Sequence, residues 1–220
     1  MATSSQTRFL EENRDHLHGP ALVVGSRMYD YDEADLRTAL AAAGVTDVTG
    51  IDIVDGPGVD EVVDICAADD FVAANRDRFA TVLCMEMITH VPQPFLLGAN
   101  VSAVTRPGGA VFLSECIVRK LSRMPTDHWR FTYTGIQLLF PELTFLDDRA
   151  RMSLPRSHSD LLLPYTDHLP EILSDRRHED ETALGWQVRR LHRRFLAGGL
   201  FALSRTMPEV SISSLAVKPG

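Results

Sequence analysis

The first half of the chain repeats one pattern: a short, almost uninterrupted apolar run, a stretch with helical spacing, then a turn. The runs are residues 21–25 (ALVVG), 48–54 (VTGIDIV), 79–87 (FATVLCMEM) and 110–113 (AVFL). They lack the polar alternation of a strand that meets water on one face, so they read as strands buried on both faces of a parallel sheet. Between the first two, residues 32–43 (DEADLRTALAAA) carry alanine and leucine at helical spacing, with acids in the first turn where they suit the helix dipole. Gly44 follows, as glycine does just past a helix. Gly56-Pro57-Gly58 marks a turn before a third strand over 59–65 (VDEVVDI), residues 71–78 are weakly helical, and 95–105 are helical. Arg106-Pro107-Gly108-Gly109 then turns into the run at 110. Strands alternating with helices predict a doubly wound, mostly parallel α/β sheet rather than a barrel or a bundle. Right-handed crossovers put helices on both faces, and the ligand crevice falls beyond the carboxyl ends of the strands.

Charge and composition narrow the partners. A chain of 220 residues with a formal net charge of −8 has no basic field to draw in nucleic acid. Residues 1–20 are polar and lack the apolar core of a signal peptide, and no apolar run approaches the roughly 20 residues that span a bilayer. Cys66, Cys84 and Cys116 are widely spaced and read as buried reduced thiols, not as a disulfide frame or zinc site. These features predict a cytoplasmic protein with a small-molecule substrate and neither a nucleic-acid nor a membrane partner. Three regions are expected: a polar N-terminal segment over 1–19, a core over 20–150, and a C-terminal extension over 151–220. The extension holds a proline- and charge-rich stretch, a helix over 182–203 with a basic face (Arg189, Arg190, Arg193, Arg194), and a final strand. Trp186 and Phe195 on that helix pack on the domain or form a homodimer contact. His158, Asp160, Asp167 and His168 have no metal-site spacing, so no metal is expected.

Acidic residues gather where the crevice is expected. The first strand ends at Gly25, followed by Ser26 and Arg27; the second at Asp52 and Ile53; the third at Asp64 and Ile65; the fourth at Met85 and Glu86. A carboxylate at the end of the second strand can accept both hydroxyls of a ribose, and Asp64 can reach an adenine amino group. Gathered at successive strand ends, these residues point to one shared ligand crevice.

The segments GIDIVDGPGVDEVVDI, FATVLCMEMITHV, RPGGAVFLSE and DHWRFTYTGIQLLF together resemble class I S-adenosylmethionine-dependent methyltransferases. The likeness covers roughly residues 20 to 145 and is greatest to small bacterial members found with sugar, glycan or natural-product pathways. It implies a Rossmann-like, seven-stranded sheet whose last two strands form an antiparallel hairpin, with S-adenosylmethionine as cofactor. Gly25, with Ser26 and Arg27, would lie by the methionine moiety. Asp52 and Ile53 would meet the ribose, Asp64 and Ile65 the adenine, and Met85 and Glu86 would close over the methionine end. The chain departs from the pattern at Val23 and Ala80, where acids are usual, and at Arg27 and Tyr29, where glycines recur. A side chain at Arg27 that turns inward blocks or rewrites the methionine site, or binds the cofactor's carboxylate, and one that turns outward leaves the site open.

Methyl transfer to oxygen or nitrogen can use a general base, and histidine is suited to that near neutral pH. His90, just past the fourth strand, and His128 are the candidates; His90 also reads as a packing residue at a helix start. Trp129, Arg130 and Tyr133 are candidate substrate contacts, or else parts of a structural lid. The expected function is methyl transfer to a small-molecule hydroxyl or amine, on a sugar or specialised metabolite. The alternative is a methyltransferase fold that has lost this reaction and serves as a binding subunit or catalyses another.

Overall fold

The computed structural model describes residues 3–30, 32, 35–119, 121–122, 125–154, 161–165, 182–188, 191 and 210–220. β1 (Ala21–Val24) and β4 (Phe79–Met85) are buried at every position, as strands at the middle of a two-faced sheet must be. Their alternate side chains feed two separate cores. Leu22, Val24, Val82 and Cys84 face one layer, while Ala21, Val23, Leu83 and Met85 face the other. β2 (Val48–Asp52) and then the two-residue β3 (Glu61–Val62) extend the sheet on one side of β1 in parallel. The third strand is thus much shorter than the run 59–65, because both of its residues are exposed and gain little from pairing further.

On the other side, β5 (Thr105–Val118) runs parallel to β4, and β9 (Val210–Val217) runs antiparallel to β5. β5 begins earlier than the run at 110: the RPGG turn lies inside it as an irregularity opposite Phe79–Thr81, with Gly108 in a left-handed conformation. β7 (Arg151–Leu154) pairs antiparallel with β9, β8 (Leu161–Pro164) with β7, and the short β6 (Thr144–Phe145) with β9. Among the described residues the sheet therefore has nine strands in the order β3-β2-β1-β4-β5-β9-β7-β8, with β6 on β9, not the seven expected. β6 and β8 account for the excess. Pro164 suits the outer strand, where a missing N–H costs no ladder bond.

The segment expected to be merely polar forms α1 (Ser4–Glu12), which buries Phe9 and Leu10 completely or nearly so. Phe9 meets Phe112 edge to face at 6.0 Å, covering one side of β5. α2 (Leu36–Ala42) starts at Asp35, whose side chain accepts from Arg37 N–H. α3 (Asp69–Ala74) carries two acids in its first turn. α4 (Pro94–Val104) crosses α5 (Tyr133–Leu139) so closely that a Cβ on Gly98 would stand 1.9 Å from the Leu139 carbonyl oxygen.

By compactness the chain divides into Met1–Tyr165 with Glu209–Gly220, and Thr166–Pro208. The strands after residue 150 thus share one sheet with the region 20–150. Of the second unit, residues 183–188 are described as helical. Arg189, Arg190, Arg193, Arg194 and Phe195 lie outside the described residues, as do His158, Asp160, Asp167 and His168. Among the described residues no helix is long and apolar enough to cross a membrane. Cys84 and Cys116 are buried thiols and Cys66 is half-buried, with burial pushing each pKa up.

Candidate active site

A cavity of about 660 Å³ opens at the carboxyl ends of β1, β2 and β4. Its first wall is the turn after β1. Gly25 has φ +73°, and a Cβ there would stand 3.0 Å from Met87 Cβ, so glycine is favoured on both counts. Arg27 N–H donates to Asp52 Oδ2 at 3.2 Å, and Val54 N–H donates to Asp52 Oδ1 at 3.0 Å. The Asp52 carboxylate is thereby pinned between two loops while it lines the cavity.

The Arg27 side chain runs along the wall. Its guanidinium lies 5.0 Å from the Tyr29 ring centroid, and its Nε packs where a Cβ on Gly56 would stand, 2.8 Å away. That Nε is buried and has no hydrogen-bond partner among the described residues. Ser26 is a correction: it does not line this cavity. Its N–H donates to the Ile51 carbonyl, its carbonyl packs on Gly58, and it borders a pocket of about 30 Å³ behind the turn.

Ile53, Asp64 and Ile65 line the second wall. Asp64 Oδ1 accepts from Cys66 N–H at 2.9 Å, and Asn100 Nδ2 donates to the Ile65 carbonyl at 2.7 Å, tying this loop to α4. The third wall is the end of β4, with Met85, Glu86, Met87 and His90. Glu86 is buried, adopts φ +53°, and turns the chain sharply out of the strand. Its carboxylate meets Ser114 Oγ at 3.3 Å and Arg119 Nη1 at 3.4 Å, and Arg119 lines the cavity too.

His90 closes the same wall. Its Nδ1 stands 3.0 Å from the Thr126 carbonyl and 3.3 Å from Asp127 Oδ1. Both neighbours only accept, so Nδ1 carries the hydrogen and Nε2 keeps its lone pair. Burial lowers the His90 pKa below 6.5, against the opposing pull of the Thr126 carbonyl and Asp127, which keeps the ring neutral. Burial alone would raise the Asp127 pKa. The hydrogen bonds from Arg130 and Ser122 N–H and the charges of Arg130 and Arg119 outweigh it, so the group stays ionised.

The other expected contacts turn elsewhere. His128 is exposed and off the cavity, and its backbone N–H donates to the Thr89 carbonyl. Trp129 stacks on Phe131 and donates its Nε1–H to the Val91 carbonyl. Arg130 is spent on Asp127 at 2.7 Å. Tyr133 is buried and gives its hydroxyl hydrogen to Asp147. None of these four lines the cavity: the side chains of Trp129, Arg130 and Tyr133 bond within the folded chain, and that of His128 is exposed away from it. The run DHWRFT does contribute to the site, but through Asp127. Arg119 and Glu115 escape a sequence reading, since a lone cation after a strand and a lone acid within one carry no spacing signal.

The strand order and the cavity at the carboxyl edge give the chain a Rossmann-like α/β fold, the fold also of solved S-adenosylmethionine-dependent methyltransferases. No protein-family signature matches the chain. A ubiquinone biosynthesis O-methyltransferase of Thiobacillus denitrificans is 36% identical over 92 residues, which is 36% of this chain and 38% of that protein. The match thus spans well under half the relative's length. Among solved structures, a 1,6-didemethyltoxoflavin-N1-methyltransferase of Burkholderia thailandensis, with that compound and S-adenosylhomocysteine bound, superposes with a TM-score of 0.55 at 12% identity, covering 99% of this chain and 78% of that one. The [4+2]-cyclase SpnF superposes with a TM-score of 0.53 at 16% identity, covering 97% and 81%.

Proposed function

We propose that the chain is a cytoplasmic S-adenosylmethionine-dependent methyltransferase that acts on a small-molecule hydroxyl or amine, of the sugar or specialised-metabolite kind. The observation that carries this reading is the joining, in one cavity, of the Asp52 carboxylate and a neutral His90. The cavity's own chemistry fits the cofactor. Its volume of about 660 Å³ falls in the range of small-molecule sites, and Asp52 offers acceptor oxygens suited to a ribose. Arg27 Nε, a buried donor without a partner among the described residues, is suited to an added acceptor such as a carboxylate or hydroxyl. The bound cofactor supplies an electrophilic methyl group on sulfur.

The chain's residues then have three tasks. Gly25, Asp52, Ile65 and Glu86 hold the cofactor against the strand ends. Glu86 and Arg119 offset each other's charge beside the acceptor's space. His90 Nε2 takes the proton from an acceptor hydroxyl while the Thr126 carbonyl accepts Nδ1–H and the charge of Asp127, 3.3 Å away, steadies the imidazolium that forms. A hydroxyl is favoured over an amine because it is the poorer nucleophile of the two and gains more from a base. The sequence relatives, ubiquinone biosynthesis O-methyltransferases, support the same choice. Isothermal titration with S-adenosylmethionine and S-adenosylhomocysteine tests the reading; no heat of binding with either ligand refutes it.

A second reading is favoured by the single-glycine turn after β1 and by the cyclase among the fold's neighbours. It keeps the cavity and gives up methyl transfer. Saturable binding of S-adenosylmethionine with no labelled methyl appearing on any of a broad acceptor panel would select it.

A further inference from the structure

Glu115 is fully buried and does not line the 660 Å³ cavity, which it meets only through the backbone of Met87 in its third wall. Yet its carboxylate is the meeting point of three consecutive backbone N–H groups. Met87 N–H and Ile88 N–H donate to Oε1 at 3.1 and 2.6 Å, and Thr89 N–H donates to Oε2 at 3.1 Å. The arrangement begins where β4 stops. Met85 is the last residue of β4 paired with β5, opposite Ser114, and Glu86 N–H still reaches the Ser114 carbonyl. At Glu86 the backbone becomes left-handed, and the next three N–H groups turn together toward the residue after Ser114. Such a left-handed turn is an anion-binding concavity, here filled by the protein's own side chain.

The turn so held ends in His90, through the short helical turn Ile88–His90. It also grips the segment that supplies the ring's partners. The Thr89 carbonyl accepts from His128 N–H at 2.9 Å, and Thr89 Oγ1 donates to the Trp129 carbonyl at 3.1 Å. That segment carries Thr126 and Asp127. We propose that Glu115 is the positioning residue of the base: its carboxylate holds the turn after β4 in the shape that sets His90 Nδ1 against Thr126 and Asp127. An apolar residue at 115 would leave three donors buried and unpaired, so the turn would relax and carry the ring with it.

The charged groups around this arrangement come from several elements. Glu86 lies on the turn itself, Arg119 lies beyond β5, and Asp127 and Arg130 lie across from it. Burial, and then the charge of Glu86, push the Glu115 pKa up, while the N–H bonds from Ile88 and Thr89 oppose them. Gln at this position keeps the shape but turns an NH₂ toward N–H donors, which sets donor against donor.

The proposal rests on the methyltransferase reading only in naming His90 the base, and its test needs no acceptor. Ring-¹⁵N-labelled histidine NMR is recorded on the full chain, on Glu115→Gln and on Thr89→Val, which removes the hydroxyl that bonds the Trp129 carbonyl and leaves the three backbone donors in place. The unaltered chain shows His90 as a single Nδ1–H tautomer with a pKa below 6.5. Both variants show a mixture of tautomers and a His90 pKa moved up toward 6.5. Should Glu115→Gln fail to fold, Thr89→Val decides alone. Folded variants that keep one tautomer and the original pKa overturn the proposal. A chain that binds no S-adenosylhomocysteine removes the proposed reaction instead, and leaves the ring measurement standing.

Discussion

Replacing Asp52 with alanine tests the cofactor site where its geometry is most constrained. Both carboxylate oxygens already accept backbone N–H bonds, from Arg27 at 3.2 Å and Val54 at 3.0 Å, so the group is held in place before any ligand arrives. A ribose diol donating to such a carboxylate makes charge-assisted bonds worth about 1.5–3 kcal/mol each. One such bond is offset in part by water in the free state, so a net loss of about 3 kcal/mol is expected, on the order of a hundredfold in Kd. The two orphaned N–H groups lie in loops and can turn to water, so folding should lose only about 1 kcal/mol. Isothermal titration with S-adenosylhomocysteine reads the affinity, and thermal unfolding reads the fold. A variant that stays folded and binds within about threefold of the unaltered chain would falsify the placement of the ribose at Asp52.

Other expectations follow from neighbouring contacts. His90→Gln should lower the rate of labelled-methyl transfer to a hydroxyl acceptor by about 10²–10⁴ with little change in S-adenosylhomocysteine affinity. Because the His90 pKa is lowered, the unaltered rate should be flat above pH 6.5 and fall only as pH drops through the depressed value; a rise continuing to pH 8 would contradict a neutral base. Gly98→Ala gains about 1 kcal/mol in helix propensity but sets a Cβ 1.9 Å from the Leu139 carbonyl oxygen, so a net loss of about 3 kcal/mol and a Tm lower by roughly 10 °C are expected in calorimetry.

The parts of the fold legible in the sequence are those where burial dictates residue type. β1 and β4 must be apolar throughout because both faces are covered, and they stand where the runs are. The acids at strand ends were legible for the same reason: Asp52, Asp64 and Glu86 interrupt apolar runs, and all three line the cavity. What escaped depends on partners far along the chain. α1 has only Phe9 and Leu10 to bury, and its need for a sheet face shows only once Phe112 is beside it. β7 and β8 lie beside and within a proline- and charge-rich stretch that masks them. Arg130 reads as a substrate contact because a guanidinium near an aromatic looks available, yet Asp127, three residues before it, takes it up.

The glycine-poor turn after β1 looks like a damaged nucleotide loop until the residues opposite it are counted. Two demands place glycines in such a turn: a left-handed backbone and room for close approach. Only Gly25 meets the first demand here, since Arg27 and Tyr29 do not adopt positive φ. The second is met from across the gap. A Cβ on Gly50 would lie 2.8 Å from Ser26 Oγ, one on Gly56 2.8 Å from Arg27 Nε, and one on Gly58 3.2 Å from Met28 Cγ. The side chains of the turn therefore occupy space left by glycines at the end of β2 and just after it, and Gly25 stays open to the cavity. The glycines that this packing needs lie in the facing segment. The site's integrity then depends on a pair of segments, 25–29 and 50–58, and substitutions that fill Gly56 should press Arg27 off its wall and into the ligand's space.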